Sequence, residues 1–407
     1  MPVQFEQRAP ARLALSPAGA LTCIVLVALT LRPGIVSTGP LLPSIIREFH
    51  VSHTQAALLT AIPTLLMGLL AAPTPWLARR FGRDRVMLGA LGLLMLASLA
   101  RAFTGSIAAL FLATIAIGAG IALAGVLVAG FVKASFPARP ALFMSVYATA
   151  LALGSTVAAA ATGAIVAAHA GWRLGAGIWA LPALAALLAW LLLPFRRAAP
   201  APAAAGPAQD GMPLRNRTAW LVALFFAANN FVFYACIAWL APMYVEAGWA
   251  PARASLLLAT FTIAFMAANP LFGYFSRSED RRALLGLGAG IALAGVLALM
   301  IAPMAAPFLT VAVLAFGTGG AFTLSMTLPL DNTRTPEETS AWNAFVMLVS
   351  YSIAAVGPVA VGQLRDASGS FHGAHLMLAA VSALMLALTP FLQPHRPQAI
   401  GGLAPAM

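Results

Sequence analysis

The chain is a series of apolar runs, most of them about as long as a bilayer is thick, and few folds accommodate such a series. A helix rises about 1.5 Å per residue, so roughly 20 apolar residues cross a hydrocarbon core of about 30 Å. Counted against that rule, the sequence predicts twelve membrane-spanning helices, at 20–46, 54–78, 86–105, 107–132, 141–168, 174–195, 218–245, 254–276, 283–303, 307–330, 339–364 and 374–393. Hydrophobic residues make up 61% of the 407 and charged residues 8%, whereas soluble domains average about 25% charge. A soluble core cannot absorb that much apolar surface, but lipid can. The expectation is an all-α membrane protein.

The segment 196–217 interrupts the series. It opens with Arg196 and Arg197, continues as AAPAPAAAGPAQDGMP and closes with Arg215 and Arg217. Such an Ala/Pro-rich stretch builds no core and reads as a linker. The organisation expected is a tail at 1–19, a six-helix bundle at 20–195, a linker at 196–217, a second six-helix bundle at 218–393 and a tail at 394–407. The first apolar run is longer than a signal-peptide core and ends in Pro-rich sequence, so it reads as a span.

The formal net charge of +12 does not point to nucleic acid, because the basic residues follow the topology. With the N-terminus inside, 17 Lys and Arg fall in cytoplasmic segments. Five fall outside (Arg47, Arg101, Arg173, Arg253 and Arg365), and Arg32 is left in the membrane, which accounts for all 23. Positive residues concentrate on the cytoplasmic side. Both termini and the linker are therefore expected in the cytoplasm, and the protein in the inner membrane.

The halves also repeat. PLLPSIIREF ends the first span and AWLAPMYVEAG the seventh, with Pro43 and Pro242 offset by 199 residues. PWLARRFGRDR follows the second span and GYFSRSEDRR the eighth. Two six-helix repeats of the same orientation form a transporter layout, with the site at mid-membrane between the halves.

These features together resemble the major facilitator superfamily, whose loop after helices two and eight reads Gly-x-x-x-Asp-Arg-x-Gly-Arg-Arg/Lys. The first copy here keeps Arg80, Gly82 and Arg83, with Pro75 at the glycine and Arg79 at the aspartate. The second keeps Gly273, Arg281 and Arg282, with Arg277 in place of the acid. The resemblance implies gating roles for Arg80, Gly82, Arg83, Arg281 and Arg282, but the aspartate of the usual gating contact is replaced. LRPGIVSTGPLLPSI in the first span, QAALLTAIPTLLMG in the second, IAWLAPMYVEAG in the seventh and GTGGAF at 317–322 followed by Asp331 resemble the cyanate permease branch, which includes a 2-nitroimidazole exporter. That branch implies transport of a small anion or a small nitro compound.

Arg32 is the foremost candidate. It sits in ALTLRPGIVSTGPLLPSI (28–45), at mid-depth, with Pro33 and Gly34 directly after it. A cation at that depth costs a few kcal/mol or more unless compensated, and proline frees a backbone carbonyl beside it. All eleven acids fall in loops or at helix ends on these spans. Arg32 then reads as an anion receptor, its guanidinium offering a planar fork of donors. The alternative is a structural arginine held by aromatic faces or freed carbonyls. Arg101, near the end of the third helix, is expected to snorkel to the interface.

Asn229 and Asn230 occupy the middle of the seventh span, and Asn230 and Tyr234 share a face. These amides suit either a ligand cage or interhelical hydrogen bonding. Thr318, Tyr351 and Tyr147 are weaker substrate-binding candidates, for which packing or a satisfied hydroxyl is the plainer reading. Gly317, Gly319 and Gly320 read as close helix packing. His169, His372 and His375 read as solvated loop residues, and Cys23 and Cys236 as packing residues with no disulfide or metal.

No catalytic cluster, metal set or cofactor motif emerges, so no enzyme is expected. Nor does a mid-membrane carboxylate suggest a proton relay. The reading is a carrier, working as a monomer in the lipid bilayer, that moves a small cyanate-like anion by alternating access. An exporter of nitroaromatic or other small drug-like compounds is the alternative, and a non-transporting membrane receptor a further one.

Overall fold

The computed structural model describes residues 17–136, 140–192, 212–276, 280–333 and 335–393. Most of the predicted linker and both predicted tails lie outside the described residues. Those described are helical, with no strand among them.

Among the described residues, ten helical stretches are long and apolar enough to cross a membrane. They are span 1 (Ala18–Phe49), span 4 (Ile107–Val132), span 5 (Phe143–Ala168), span 6 (Gly171–Leu192), span 7 (Arg217–Glu246), span 8 (Pro251–Phe275), span 9 (Arg282–Ile301), span 10 (Pro307–Asp331), span 11 (Glu338–Ser368) and span 12 (His372–Phe391). Span 2 is His53–Leu69 together with Thr74–Phe81, bent by 66° at the break. The sequence reading had one helix over 54–78. Pro73 stands immediately before the second piece, where its ring cannot continue the helix above it. Span 3 is Arg83–Arg101. Arg83, Asp84 and Arg85 at one end and Arg101 at the other make it too charged to stand out by hydropathy. With these two, the described residues form twelve spans in two six-helix bundles.

Local sequence fixes where spans begin and turn. Span 2 starts at a capping box, in which the Ser52 hydroxyl accepts from the Gln55 N–H and the Gln55 side chain accepts from the Ser52 N–H. That pairing satisfies two of the donors a helix start leaves open. Span 1 is disturbed at Arg32 and again at Ser37. Pro33 has no N–H for the Leu29 carbonyl, and span 5 approaches there so closely that a Cβ on Gly154 would lie 2.6 Å from that oxygen.

The halves meet through spans 1, 2 and 5 of the first and 7, 8 and 11 of the second. Span 2 packs on span 11, span 5 on span 8, and span 1 on span 7. The repeat exchanges the first two pairs with each other, as pseudo-symmetry requires. Between lipid-embedded helices no hydrophobic force operates, so close contact depends on small residues. A Cβ on Gly39 would lie 2.4 Å from the Ile237 carbonyl, one on Gly163 2.6 Å from the Pro251 carbonyl, and one on Gly362 2.7 Å from the His53 carbonyl. Gly163, Gly362, His53 and Pro251 all lie at the face opposite the chain ends Leu192 and Met212 that flank the linker, so the halves are pressed together there. On the linker face, Thr74–Phe81 packs chiefly on spans 3 and 4 of its own half. The Gly317–Gly320 tract acts in packing, as expected: a Cβ on Gly317 would meet span 9 at 2.3 Å and one on Gly319 span 8 at 2.4 Å.

Candidate functional site

The kink in span 1 sets Arg32 between the halves. Its Nη1 donates to the Tyr234 hydroxyl of span 7 at 2.9 Å. The side chain is part-exposed, and among the described residues no carboxylate forms an ion pair with it. Tyr234 is 2% exposed, and its hydroxyl donates in turn to Met67 Sδ of span 2 at 3.8 Å. Tyr351 of span 11 meets Tyr234 edge-on, with ring centroids 6.1 Å apart. Tyr147 of span 5 and Tyr351 both lie within electrostatic reach of the guanidinium. One arginine and three phenols, drawn from spans 1, 5, 7 and 11, therefore converge between the bundles. Behind Tyr234, Phe233 packs on Phe261 and Phe265.

The other predicted site residues divide. Asn230 is 1% exposed and donates to Ser350 Oγ of span 11 at 2.8 Å, an interhelical bond of the kind foreseen as its alternative. Asn229 is fully buried, and among the described residues neither its amide oxygen nor its nitrogen has a partner. The Thr318 hydroxyl donates to the Leu314 and Ala315 carbonyls of its own helix and is a satisfied helix residue.

The basic-loop residues keep to their own halves. Arg80 and Gly82 are exposed, and Gly82 has φ +89°, a left-handed turn that suits glycine. Arg83 lies 3.7 Å from Asp84 and over the Phe131 ring. Arg281 forks onto Asp331 at 2.5 and 3.1 Å and also contacts Ser276. Arg282 pairs with Asp280.

Three features escaped the sequence reading. Arg101 does not snorkel: it is 3% exposed. Its Nη1 donates to the Gly34 carbonyl of span 1 at 2.9 Å and its Nη2 to Thr114 Oγ1 of span 4 at 3.0 Å. The polar acceptors lie inside the bundle, so the charge turns inward. His375, read as solvated, is 6% exposed, because its helix packs that side against the bundle; His372 is exposed as expected.

The third feature is a polar cluster joining the halves at the face opposite the linker. His53 Nδ1 lies 2.7 Å from Asp366 Oδ1, and His53 Nε2 lies 3.0 Å from Glu246 Oε1. Asp366 also accepts from the His53 and Thr54 backbone N–H groups and the Thr54 hydroxyl. Arg365 holds the other oxygen of Glu246 at 2.8 Å. No local motif announces these partners; only the Ser52 cap, which fixes the start of span 2, is visible in sequence.

Two pseudo-symmetric six-span bundles with polar side chains between them are the architecture of a small-molecule transporter and make this a multi-pass membrane protein. The chain belongs to the Major Facilitator Superfamily, whose family model matches residues 22–354 and, in a second placement, 230–406. It is 32% identical to the cyanate transport protein CynX of Escherichia coli over 354 residues, covering 86% of this chain and 91% of that one. It is 29% identical to the 2-nitroimidazole transporter of the same organism over 367 residues, covering 90% and 92%. Among solved structures, the D-xylose-proton symporter matches with a TM-score of 0.74 at 15% identity, covering 93% of this chain and 98% of that one. A bacterial homolog of the human lysosomal transporter Spinster, in an inward-facing and occupied conformation, matches at 0.72 and 18%, covering 92% and 94%. Those two likenesses concern the fold alone.

Proposed function

We propose that this protein carries a small monovalent anion, cyanate or a close analogue, across the inner membrane by alternating access, with Arg32 as the anion's receptor. The observation that carries this reading is the setting of Arg32: mid-membrane, part-exposed, bonded to a tyrosine hydroxyl at 2.9 Å and paired with no carboxylate among the described residues. A neutral hydroxyl leaves most of the cost of a desolvated guanidinium standing. A small anion offsets it, and the planar fork orients that anion. The likeness to the E. coli cyanate transport protein supports the same substrate class.

In this reading the linker face is cytoplasmic, as the basic-residue bias indicates. The contacts at Gly39, Gly163 and Gly362 then close the outer side, and substrate reaches Arg32 from inside. Arg80, Gly82, Arg83, Arg281 and Arg282 engage the opposite half when the cytoplasmic side closes. A cysteine introduced between residues 198 and 213 is labelled only from the cytoplasm; labelling from outside overturns the orientation.

The deciding experiment is the melting temperature of the purified protein with and without potassium cyanate, for the wild type, Arg32→Gln and Arg32→Lys. A ligand stabilises the state it binds. Arg32→Gln should abolish the cyanate-induced shift while leaving the ligand-free protein no less stable, since a partly desolvated charge held only by a neutral hydroxyl is gone. Arg32→Lys should weaken the shift without removing it. A destabilised Arg32→Gln that still responds to cyanate would end the proposal.

A second reading draws on the phenol rings. Tyr234 and Tyr351 present ring faces and edges beside the guanidinium, a setting that also suits a planar nitroaromatic. The likeness to the 2-nitroimidazole transporter points the same way. A thermal shift with 2-nitroimidazole and none with cyanate selects this reading.

A further inference from the structure

Span 3 contributes a second acid-free guanidinium to the first bundle. Arg101 is 3% exposed, and no ion pair to a carboxylate involves it among the described residues. Its two terminal nitrogens reach two other helices: the Gly34 carbonyl on span 1 and the Thr114 hydroxyl on span 4. Thr114 is itself fixed, donating to the Leu110 carbonyl at 2.7 Å. The Arg101 backbone is held as well, because its carbonyl accepts from Thr104 at 3.0 Å.

The acceptor on span 1 is two residues from Arg32. Gly34 belongs to the single turn, Pro33–Val36, between the disturbances at Arg32 and Ser37. That turn is tightened, with the Arg32 carbonyl accepting from both the Ile35 and Val36 N–H groups at 3.0 Å. It is also wedged, because a Cβ on Gly34 would lie 2.8 Å from Ile117 of span 4. A kinked turn lacking a proline N–H has alternative geometries open to it, and here a charged fork selects one. Packing alone gives no reason to keep a buried charge, since an apolar residue of similar volume is often as stable or more so.

We propose that Arg101 is a positioning residue for Arg32: it holds the Pro33–Gly34 turn to span 4, so that the Arg32 guanidinium is presented between the halves. This rests on the receptor reading of Arg32. All the groups that hold the turn, Arg101, Thr114 and Ile117, belong to the first bundle, whereas Tyr234 belongs to the second. When the halves separate, Arg32 leaves Tyr234 but keeps its aim relative to its own bundle.

The test uses the full chain reconstituted in liposomes, with exchange of labelled cyanate as one readout. A second readout needs no substrate: the rate at which phenylglyoxal modifies Arg32, followed by peptide mass spectrometry. In Arg101→Gln the turn relaxes and Arg32 is misplaced. The KM for cyanate should rise roughly tenfold to a hundredfold with the maximal exchange rate little changed, and Arg32 should be modified at a different rate from the wild type. Arg101→Lys keeps the charge but cannot span both acceptors, so it should share the KM defect. Thr114→Val, which leaves Arg101 in place, should show a smaller defect of the same kind and covers the case in which Arg101→Gln does not fold. An Arg101→Lys protein with wild-type KM and wild-type Arg32 reactivity overturns the proposal. So does a Thr114→Val or Arg101→Gln protein in which stability falls while both readouts stay at wild type. If cyanate proves not to be carried at all, the receptor reading fails, and the Arg32 modification rates still decide whether Arg101 positions it.

Discussion

His53 and Asp366, 313 residues apart in the chain, are joined by one side-chain contact of 2.7 Å and one backbone hydrogen bond of 2.9 Å. They belong to opposite halves, so this junction must break whenever the halves part at that face. Asp366→Asn replaces an acceptor oxygen by an amide nitrogen facing donors. Hydrogen bonds to a charged group contribute roughly 1.5–3 kcal/mol, reduced here because both side chains are part-exposed. Hydrogen–deuterium exchange of the peptide containing His53 and Thr54 should therefore be faster in Asp366→Asn. Substrate exchange should persist, because the carboxylate belongs to the junction and not to the centre. Unchanged protection in the variant would remove the junction's role.

Span 1 and span 7 touch through Gly39, where a Cβ would lie 2.4 Å from the Ile237 carbonyl. The obstacle is backbone, which cannot swing aside. Gly39→Ala should lower the melting temperature by the equivalent of about 1–3 kcal/mol, the range for overpacking, and should favour parting of the halves. Gly89→Ala is the control. Nothing lies within 4 Å of a Cβ there, so its melting temperature should stay level or rise, alanine being the better helix former. Equal behaviour of the two variants would contradict the contact.

Asn230 and Ser350 form one interhelical bond at 2.8 Å. Single replacement of either by Ala should destabilise the protein by about 0.5–1.5 kcal/mol, and the double variant should lose little more. Ligand affinity should be unaffected. Asn229→Ala should behave differently: among the described residues its amide has no partner, so removing it should not lower the melting temperature. A double-mutant cycle in which Asn230 and Ser350 are additive would refute their coupling.

Tyr234 accepts the 2.9 Å bond from Arg32. Tyr234→Phe leaves that guanidinium donor without its acceptor, which costs about 1–3 kcal/mol in a desolvated setting. The ligand-free melting temperature should fall, and the shift produced by cyanate should grow, because the anion then supplies the missing acceptor. A smaller shift in the variant would mean that Tyr234 itself holds the anion.

How far the sequence reached depends on the kind of interaction. Apolar run length reports the cost of placing polar groups in lipid, so the spans and the two bundles could be read residue by residue, and among the described residues no carboxylate pairs with Arg32. The same logic misled where charges sat on a helix that crosses the membrane. Span 3 hides Arg101 because hydropathy records that a residue is charged and not which way it points. The bend of span 2 at 70–73 was not read from the sequence, because a proline inside an apolar run is compatible with a straight, a kinked and a broken helix. The rest needed the tertiary structure. Arg32 meets Tyr234 across 202 residues, and His53 meets Glu246 across 193 and Asp366 across 313. Asn229 and Asn230, adjacent and identical in type, part company because successive helix positions point about 100° apart: Asn230 meets Ser350, and Asn229 meets no partner among the described residues. Sequence by itself determined which segments lie in lipid, because that free energy is a sum over local residues; only the packing of helices decided which polar groups answer one another, because that depends on geometry between segments remote in the chain.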